Sequence, residues 1–320
     1  MSDQTAHRPA KGASELRKLM RAPEIIVAPG VYDGYSARLV QAAGFPMAVT
    51  SGAAVANSLL GVEDLGFMGA HENIEHCRNM ARSLSIPLTC DADDGYGNPM
   101  NVYRTVSLFE DAGAAGVNIE DQLSPKRCGH MPGKEVIPLE DMVKKVEAAC
   151  MSRKDDDFVV IARTDALAVE GMDAMLERVR AYVAAGADMI FPDAVNSEEN
   201  IKLVIEAAGD VPVSINMGFG IRSRPTTPLI PFKKMEAMGV KRVSLPRLLS
   251  ASAIHGMQTS LGVLKEAMQS DEVVDRPDLM VGIEDIWNLM DAPKLKALEK
   301  DLLSVEAHAR KYGDASEDET

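Results

Sequence analysis

The stretch Glu120-Asp121-Gln122-Leu123-Ser124-Pro125-Lys126-Arg127-Cys128-Gly129-His130 sets a thiol directly after two cations, with a histidine two residues on. Cationic neighbours favour the thiolate, so such a thiol can release its proton near neutral pH and an adjacent imidazole can resupply it. Cys128 therefore reads as a proton donor. Cys77, Cys90 and Cys150 sit among apolar neighbours and read as core thiols, and no CxxC spacing is present. A chain of this length needs no disulfide staples, so a reducing compartment is expected. His7, His71, His76, His255 and His308 lack comparable company.

A second group of residues closes a series of short apolar runs: Ser51 and Gly52, Asp91 and Asp93, Glu120 and Asp121, Arg163 and Asp165, Asp193, Asn216, and Arg247. Carboxylates crowded in this way repel one another unless cations or donors compensate them. The arrangement predicts a bound metal with arginines nearby. Oxygen donors without a His or Cys grouping at zinc spacing suit Mg2+, or Mn2+, holding several waters. The bland reading is that these Asp and Asn residues cap helices or turn the chain.

The runs that carry these residues are 24–32, 45–53, 86–93, 114–121, 158–166, 187–194, 211–217 and 240–247, each β-branched or apolar and bounded by Gly, Pro or Asp. Between them, YSARLVQAAG, NIEHCRNMARSLS, NVYRTVSLFEDAG, LEDMVKKVEAAC, MDAMLERVRAYVAAG and ENIKLVIEAAG carry apolar residues three and four apart, often with a closing Gly. Strand and helix alternating eight times over about 250 residues predicts a (β/α)8 barrel, the α/β TIM-barrel class. An open doubly wound sheet is the competitor, but no GxGxxG turn follows the first strand. The second and fourth units are longer than the rest, with the excess at 54–69 and 122–137. Both are expected as long loops on the catalytic face, gating the site. The organisation expected is an N-terminal helical segment at 1–23, the catalytic barrel at 24–269, a helical arm for oligomer contact at 270–310 and an acidic frayed tail at 311–320.

Composition narrows the function. The 320 residues are 46% hydrophobic and 26% charged, with a formal net charge of -14. Nucleic-acid affinity comes mainly from Lys and Arg neutralising phosphates, so a nucleic-acid partner is not expected. No run approaches the roughly 18 apolar residues of a membrane span, and the start MSDQTAHRPAKG has no apolar targeting region. A cytoplasmic enzyme of small-molecule chemistry is expected. No Walker loop or dinucleotide fingerprint suggests a cofactor beyond the metal.

The segments PGVYDGYSARL, SGAAVANSLLGVEDLG, DADDGYGN, IEDQLSPKRCGH, ARTDALAVEG and FPDA, in this order, resemble the isocitrate lyase and phosphoenolpyruvate mutase superfamily over residues 25–250. KRCGH resembles the lyase branch, whereas the phosphonate mutases lack its cysteine. Within that branch the chain is most similar to 2-methylisocitrate lyases and to 2-alkylmalate or 2,3-dimethylmalate lyases. The resemblance implies a barrel that swaps its last helices between subunits and assembles as a homotetramer, a dimer of helix-swapped dimers. It also implies Asp91 as the direct Mg2+ ligand, with Asp64, Asp93 and Glu120 holding the metal through waters. Ser51, Gly52 and Ala53 would meet the carboxylate of the 2-oxo acid portion, joined by Arg163. Lys126, Arg127, Cys128, Gly129 and His130 would ride on the mobile gate, with Cys128, His130, Lys126 and Arg163 as the catalytic set. Asp193 and Asn216 would complete the substrate pocket.

Several positions depart from the family pattern. Asp193 stands where the methylisocitrate lyases usually carry Glu, Asn118 where they carry His, and Val49 and Thr50 where a Tyr is expected. The connection 217–228 is longer by about four residues and brings Arg222 and Arg224, which could meet a distal carboxylate or face solvent. The expected reaction is Mg2+-dependent cleavage of a carbon–carbon bond in a 2-hydroxy di- or tricarboxylate, of 2-methylisocitrate or 2-alkylmalate type. It would yield a 2-oxo acid such as pyruvate and a carboxylate such as succinate. The competing expectations are a phosphonate mutase or hydrolase, an oxaloacetate decarboxylase, or a non-catalytic metabolite-binding barrel.

Overall fold

The structure is a computed structural model describing residues 10–129, 131–221, 226–273 and 275–313. Two compact units divide the chain, one up to Ile254 and one from His255 onward.

In the first unit eight parallel strands are ordered β6-β5-β4-β3-β2-β1-β8-β7. They are β1 (Ile26–Val31), β2 (Ala48–Thr50), β3 (Leu88–Asp91), β4 (Gly116–Glu120), β5 (Val159–Thr164), β6 (Met189–Pro192), β7 (Ser214–Asn216) and β8 (Arg242–Leu245). A single parallel bridge from Ile190 to Val213 links the outer strands, so the sheet is a nearly closed barrel. The helices are α1 (Ala10–Arg21), α2 (Gly34–Ala42), α3 (Gly52–Leu60), α4 (Ala70–Ser83), α5 (Pro99–Asp111), α6 (Leu139–Ser152), α7 (Met172–Ala184), α8 (Glu198–Ala208) and α9 (Phe232–Met238). The helix α10 (Leu248–Ala267) begins in this unit and continues into the next. The barrel expected from the alternation is present, each strand lying within its predicted run.

Side chains alternate across each strand. One set fills the barrel interior: Ile26, Ala28, Val49, Val159, Ile161 and Met189, closed by the fully buried Leu16 of α1. The opposite set packs under the helices, with Val117, Val160, Ile190 and Val243 in that outer cluster. Strand β1 approaches β8 closely, since a Cβ on Gly30 would lie 2.4 Å from the Pro246 Cα. Local signals start the helices that flank the site. Asn98 caps α5 by accepting from the Met100 and Asn101 amides, with Pro99 at its first position.

One expectation is corrected. The excess after β2 is not a long open loop, because Gly52–Leu60 forms α3, whose start Ser51 caps by accepting from the Ala54 amide. Gly61 ends it in the left-handed region at φ 68°. By contrast, the described residues of 122–137 form no helix, and the segment is tied at its base by the antiparallel bridge Gln122–Val136 and by Ile137 N–H donating to Asp121 O at 2.9 Å. Arg222 and Arg224 lie outside the described residues.

The second unit contains the end of α10 with α11 (Ile283–Leu289), α12 (Ala292–Leu302) and α13 (Val305–Tyr312). Among the described residues no helix is long and apolar enough to cross a membrane.

Candidate active site

The C-terminal ends of the strands open into a cavity, the face on which barrels of this class place their chemistry. Thirteen sequence-predicted residues line it: Ser51, Gly52, Ala53, Asp64, Asp91, Glu120, Lys126, Arg127, Cys128, Gly129, Arg163, Asp193 and Asn216. Asp93 is buried beside them through its ion pair to Lys126, and His130 lies outside the described residues.

Asp91 ends β3 and is held at its backbone: its amide donates to Thr50 Oγ1 at 2.8 Å, and its carbonyl accepts from Asn73 Nδ2 at 2.7 Å. Gly52 lets α3 start against it, because a Cβ there would sit 2.5 Å from Asp91 Oδ2. Asp93 follows in the left-handed region at φ 49°, an uncommon conformation for a residue with a Cβ. Its amide donates to Asp91 Oδ1 at 3.2 Å, which ties the Asp91 carboxylate to the turn that follows the strand.

Two groups of ion pairs organise the acids. Lys126 Nζ lies 2.6 Å from Asp64 Oδ1 and 2.6 Å from Asp93 Oδ1, all three side chains buried. The cation expected beside the thiol is thus engaged by carboxylates. Arg163 Nε reaches Asp165 Oδ2 at 2.7 Å and Glu120 Oε2 at 3.2 Å, and Arg163 Nη2 reaches Asp193 Oδ1 at 3.5 Å. Lys134 closes a ring with them, at 2.7 Å from Asp165 and 3.3 Å from Asp193.

Burial pushes Asp93 up to about 7, against the pull of Lys126 and helped by Asp91 and Asp64. Burial also raises Glu120 well above its ordinary range although Arg163 opposes it. Asp165 goes the other way: burial alone would raise it, but Arg163 and Lys134 hold it below the usual carboxylate range. Lys126 is raised because Asp93, Glu120 and Asp64 outweigh the burial that would lower it.

This donor set fits a hard divalent cation. Glu120 Oε1 and Asn118 Oδ1 are buried with no hydrogen-bond partner among the described residues, and a cation, directly or through its waters, would satisfy such oxygens. Among the described residues no three acidic, His or Cys side chains form a direct cage. The fit therefore rests on the chemistry of the donors, which are oxygens of the kind Mg2+ takes, commonly with waters in between.

The 122–137 segment lies over these groups. Cys128 is 8% exposed, and its amide donates to Asp64 O at 3.0 Å. Gln122 holds the segment's turn, accepting from the Arg127 amide at 3.0 Å and donating to the Arg127 carbonyl at 2.9 Å. Gly129 lies flat on the ion-pair ring, for a Cβ there would be 2.5 Å from both Arg163 Nη2 and Asp193 Oδ2.

With that geometry in view, the comparisons with known proteins decide the family. The phosphoenolpyruvate phosphomutase family model matches residues 16–264. This chain belongs to that family, within the phosphoenolpyruvate mutase and isocitrate lyase superfamily. It is 41% identical over 273 residues to a probable 2-methylisocitrate lyase 2 of Corynebacterium glutamicum, covering 85% of this chain and 87% of that one. A crystal structure of 2,3-dimethylmalate lyase is 31% identical with a TM-score of 0.84, covering 95% and 98% of the two chains. Oxaloacetate acetylhydrolase in complex with 3,3-difluorooxalacetate is 31% identical with a TM-score of 0.83, covering 91% and 96%. By these likenesses the chain is a methylisocitrate lyase-like member of the family.

Some residues the sequence did not single out matter here. Lys134 sits on the gate segment with no motif around it, and only the fold brings it to Asp165 and Asp193. Arg242 lines the cavity from β8, and its one sequence signal is a charge on the Ser244 face of an otherwise apolar run. Asp121 belongs elsewhere than the rim: it is fully buried, accepting from Tyr182 Oη at 2.7 Å and pairing with Arg178 at 3.3 Å.

Proposed function

We propose that this protein is a Mg2+-dependent carbon–carbon lyase that cleaves a 2-hydroxy di- or tricarboxylate, of 2-methylisocitrate or 2-alkylmalate type, into a 2-oxo acid and a second carboxylate. The observation that carries this reading is a buried thiol, Cys128, closed over a carboxylate cluster in one cavity. Asp91 would hold the cation directly, and Asp64, Asp93 and Glu120 through waters. When bound, Mg2+ supplies positive charge for the carboxylate and carbonyl oxygens of the 2-oxo acid.

The Ser51 hydroxyl and the amides of Gly52 and Ala53 offer donors to the carboxylate of the 2-oxo acid portion. Arg163, fixed by Asp165, Glu120 and Asp193, presents a positioned guanidinium to the same group. Loss of the hydroxyl proton lets the carbon–carbon bond break: its electron pair passes to the departing fragment as an enediolate, and the carbinol carbon becomes the 2-oxo carbonyl. Cys128 then donates its proton to the carbanion carbon, and His130 or solvent reprotonates the thiolate. With 122–137 over the cavity, water is kept from the enediolate. Asp193 and Asn216 line the cavity and would contact the departing fragment. Exposed apolar side chains in the second unit, among them Met257, Leu261, Leu264 and Leu298, support assembly of a homotetramer through exchanged helices.

Replacing Cys128 by Ser tests the reading. Release of 2-oxo acid from 2-methylisocitrate and 2,3-dimethylmalate should fall by about 100-fold or more, the usual worth of a general acid. Mg2+ affinity and melting temperature should remain near wild type. Undiminished turnover would remove the assigned role. The likeness to oxaloacetate acetylhydrolase favours a second reading, hydrolysis of oxaloacetate to oxalate and acetate, which the same assay with oxaloacetate decides.

A further inference from the structure

Arg242 has no part in the reaction described above. It opens β8 with its side chain in the barrel, 3% exposed, on the same face as Ser244. Its Nε donates to Ser214 Oγ at 2.8 Å, and its Nη1 reaches across to Thr89 Oγ1 at 3.2 Å. No carboxylate lies within ion-pair distance of it among the described residues, while Lys126, Lys134 and Arg163 each meet two or more. Arg127 and Arg247 also line the cavity, but both are exposed and water compensates them. Hydroxyl dipoles stabilise Arg242 without supplying countercharge, and burial alone pulls its guanidinium down to about 10, still charged at neutral pH. A buried charge without an opposite partner is costly, and an anion entering beside it is correspondingly favoured.

The guanidinium lines the same cavity as Asp91 and Cys128, in company with Thr89, Asn216 and Ser244. These neighbours are small and polar. The Thr89 and Ser244 hydroxyls already have partners in Arg242 and Asn216, so an alkyl end reaching this floor would leave the guanidinium's charge uncompensated, whereas a carboxylate would pair it. The two lyase substrates differ here. 2-Methylisocitrate has three carboxylates and leaves a dicarboxylate beside its 2-oxo acid; 2,3-dimethylmalate has two and leaves a monocarboxylate.

We propose that Arg242 forms a carboxylate-binding subsite at the cavity floor and makes the protein selective for a substrate whose departing fragment is a diacid. This rests on the lyase reading for the word substrate, though the anion subsite itself does not.

The test is calorimetric titration of the full chain, with Mg2+ present, using succinate and propionate against wild type, Arg242→Met and Arg242→Lys. Wild type should bind succinate more tightly than propionate by about 10-fold or more, in line with a charge-assisted pair that is buried. Arg242→Met should bring the two within about threefold, and Arg242→Lys should keep part of the preference. A preference that survives in Arg242→Met overturns the proposal, as does a wild type without preference. Arg242→Met that melts higher with ligand selectivity unchanged identifies a core arginine only, and also overturns it. Should Arg242→Met fail to fold, the wild-type ratio and its reduction in Arg242→Lys decide. Turnover of 2-methylisocitrate is scored separately: absence of turnover with a preference that collapses in Arg242→Met removes the lyase reading and leaves the subsite standing.

Discussion

Gly129 shows what a missing side chain does in this cavity. The gate backbone rests against Arg163 and Asp193 because nothing projects from that position. Gly129→Ala should hold the gate off the ring and lower kcat/KM by about 100-fold, since misplacing positioned groups by an ångström costs about that much. Steady-state kinetics beside a melting curve would check it, with melting near wild type expected. Asp165 gives a pH prediction whose sign follows from its depressed pKa. Burial opposes its charge, but Arg163 and Lys134 hold it below the ordinary Asp range in the folded state. Its contribution to stability is therefore present above the unfolded value of about 3.9 and is lost as pH falls through the lower folded value. Denaturation of wild type and Asp165→Asn across pH 7 to 2.5 should give a stability gap that is widest at neutral pH and narrows below about pH 4. A gap independent of pH would refute the assignment.

At the level of elements, the gate segment is the part whose position is decided by a few charged contacts. Its described residues form no helix, and its base is tied by Gln122–Val136, while Lys126 and Lys134 pin its span to Asp64, Asp93, Asp165 and Asp193. Lys134→Ala should release that span while the barrel stays folded, because local opening draws on contacts the core does not use. Hydrogen exchange within 122–137 should speed up by about tenfold or more, and β4 and β5 should keep their protection. Equal exchange in both proteins would show that Lys134 does not hold the gate. The segment 54–69 teaches the opposite lesson. Its length suggested a loop, yet Ser51 and Gly61 are the start and stop signals of a short helix in SGAAVANSLLG. The length between strands does not separate a loop from a short helix, whereas the capping residues do.

At the scale of the whole molecule, the residues from His255 onward expose Met257, Leu261, Leu264, Trp287, Leu295 and Leu298, and on the proposed reading this apolar surface is where subunits meet. A chain ending at residue 269 should therefore run as a smaller assembly than the full chain in light scattering after gel filtration. An unchanged mass would place the assembly contact elsewhere. The amino-acid sequence alone determined the barrel, because strand and helix periods alternate eight times and each period is a local property. It also determined most of the cavity lining, because chemically distinctive residues such as Asp91, Glu120, Arg163 and Cys128 close the strands or follow them. What only the tertiary structure decided is which charges meet. Lys126 is taken by Asp64 and Asp93, Lys134 joins Asp165 and Asp193, and Arg242 meets no carboxylate among the described residues. Each outcome turns on side chains far apart along the chain coming within about 3 Å after the barrel closes, the range over which hydrogen bonds and ion pairs are made.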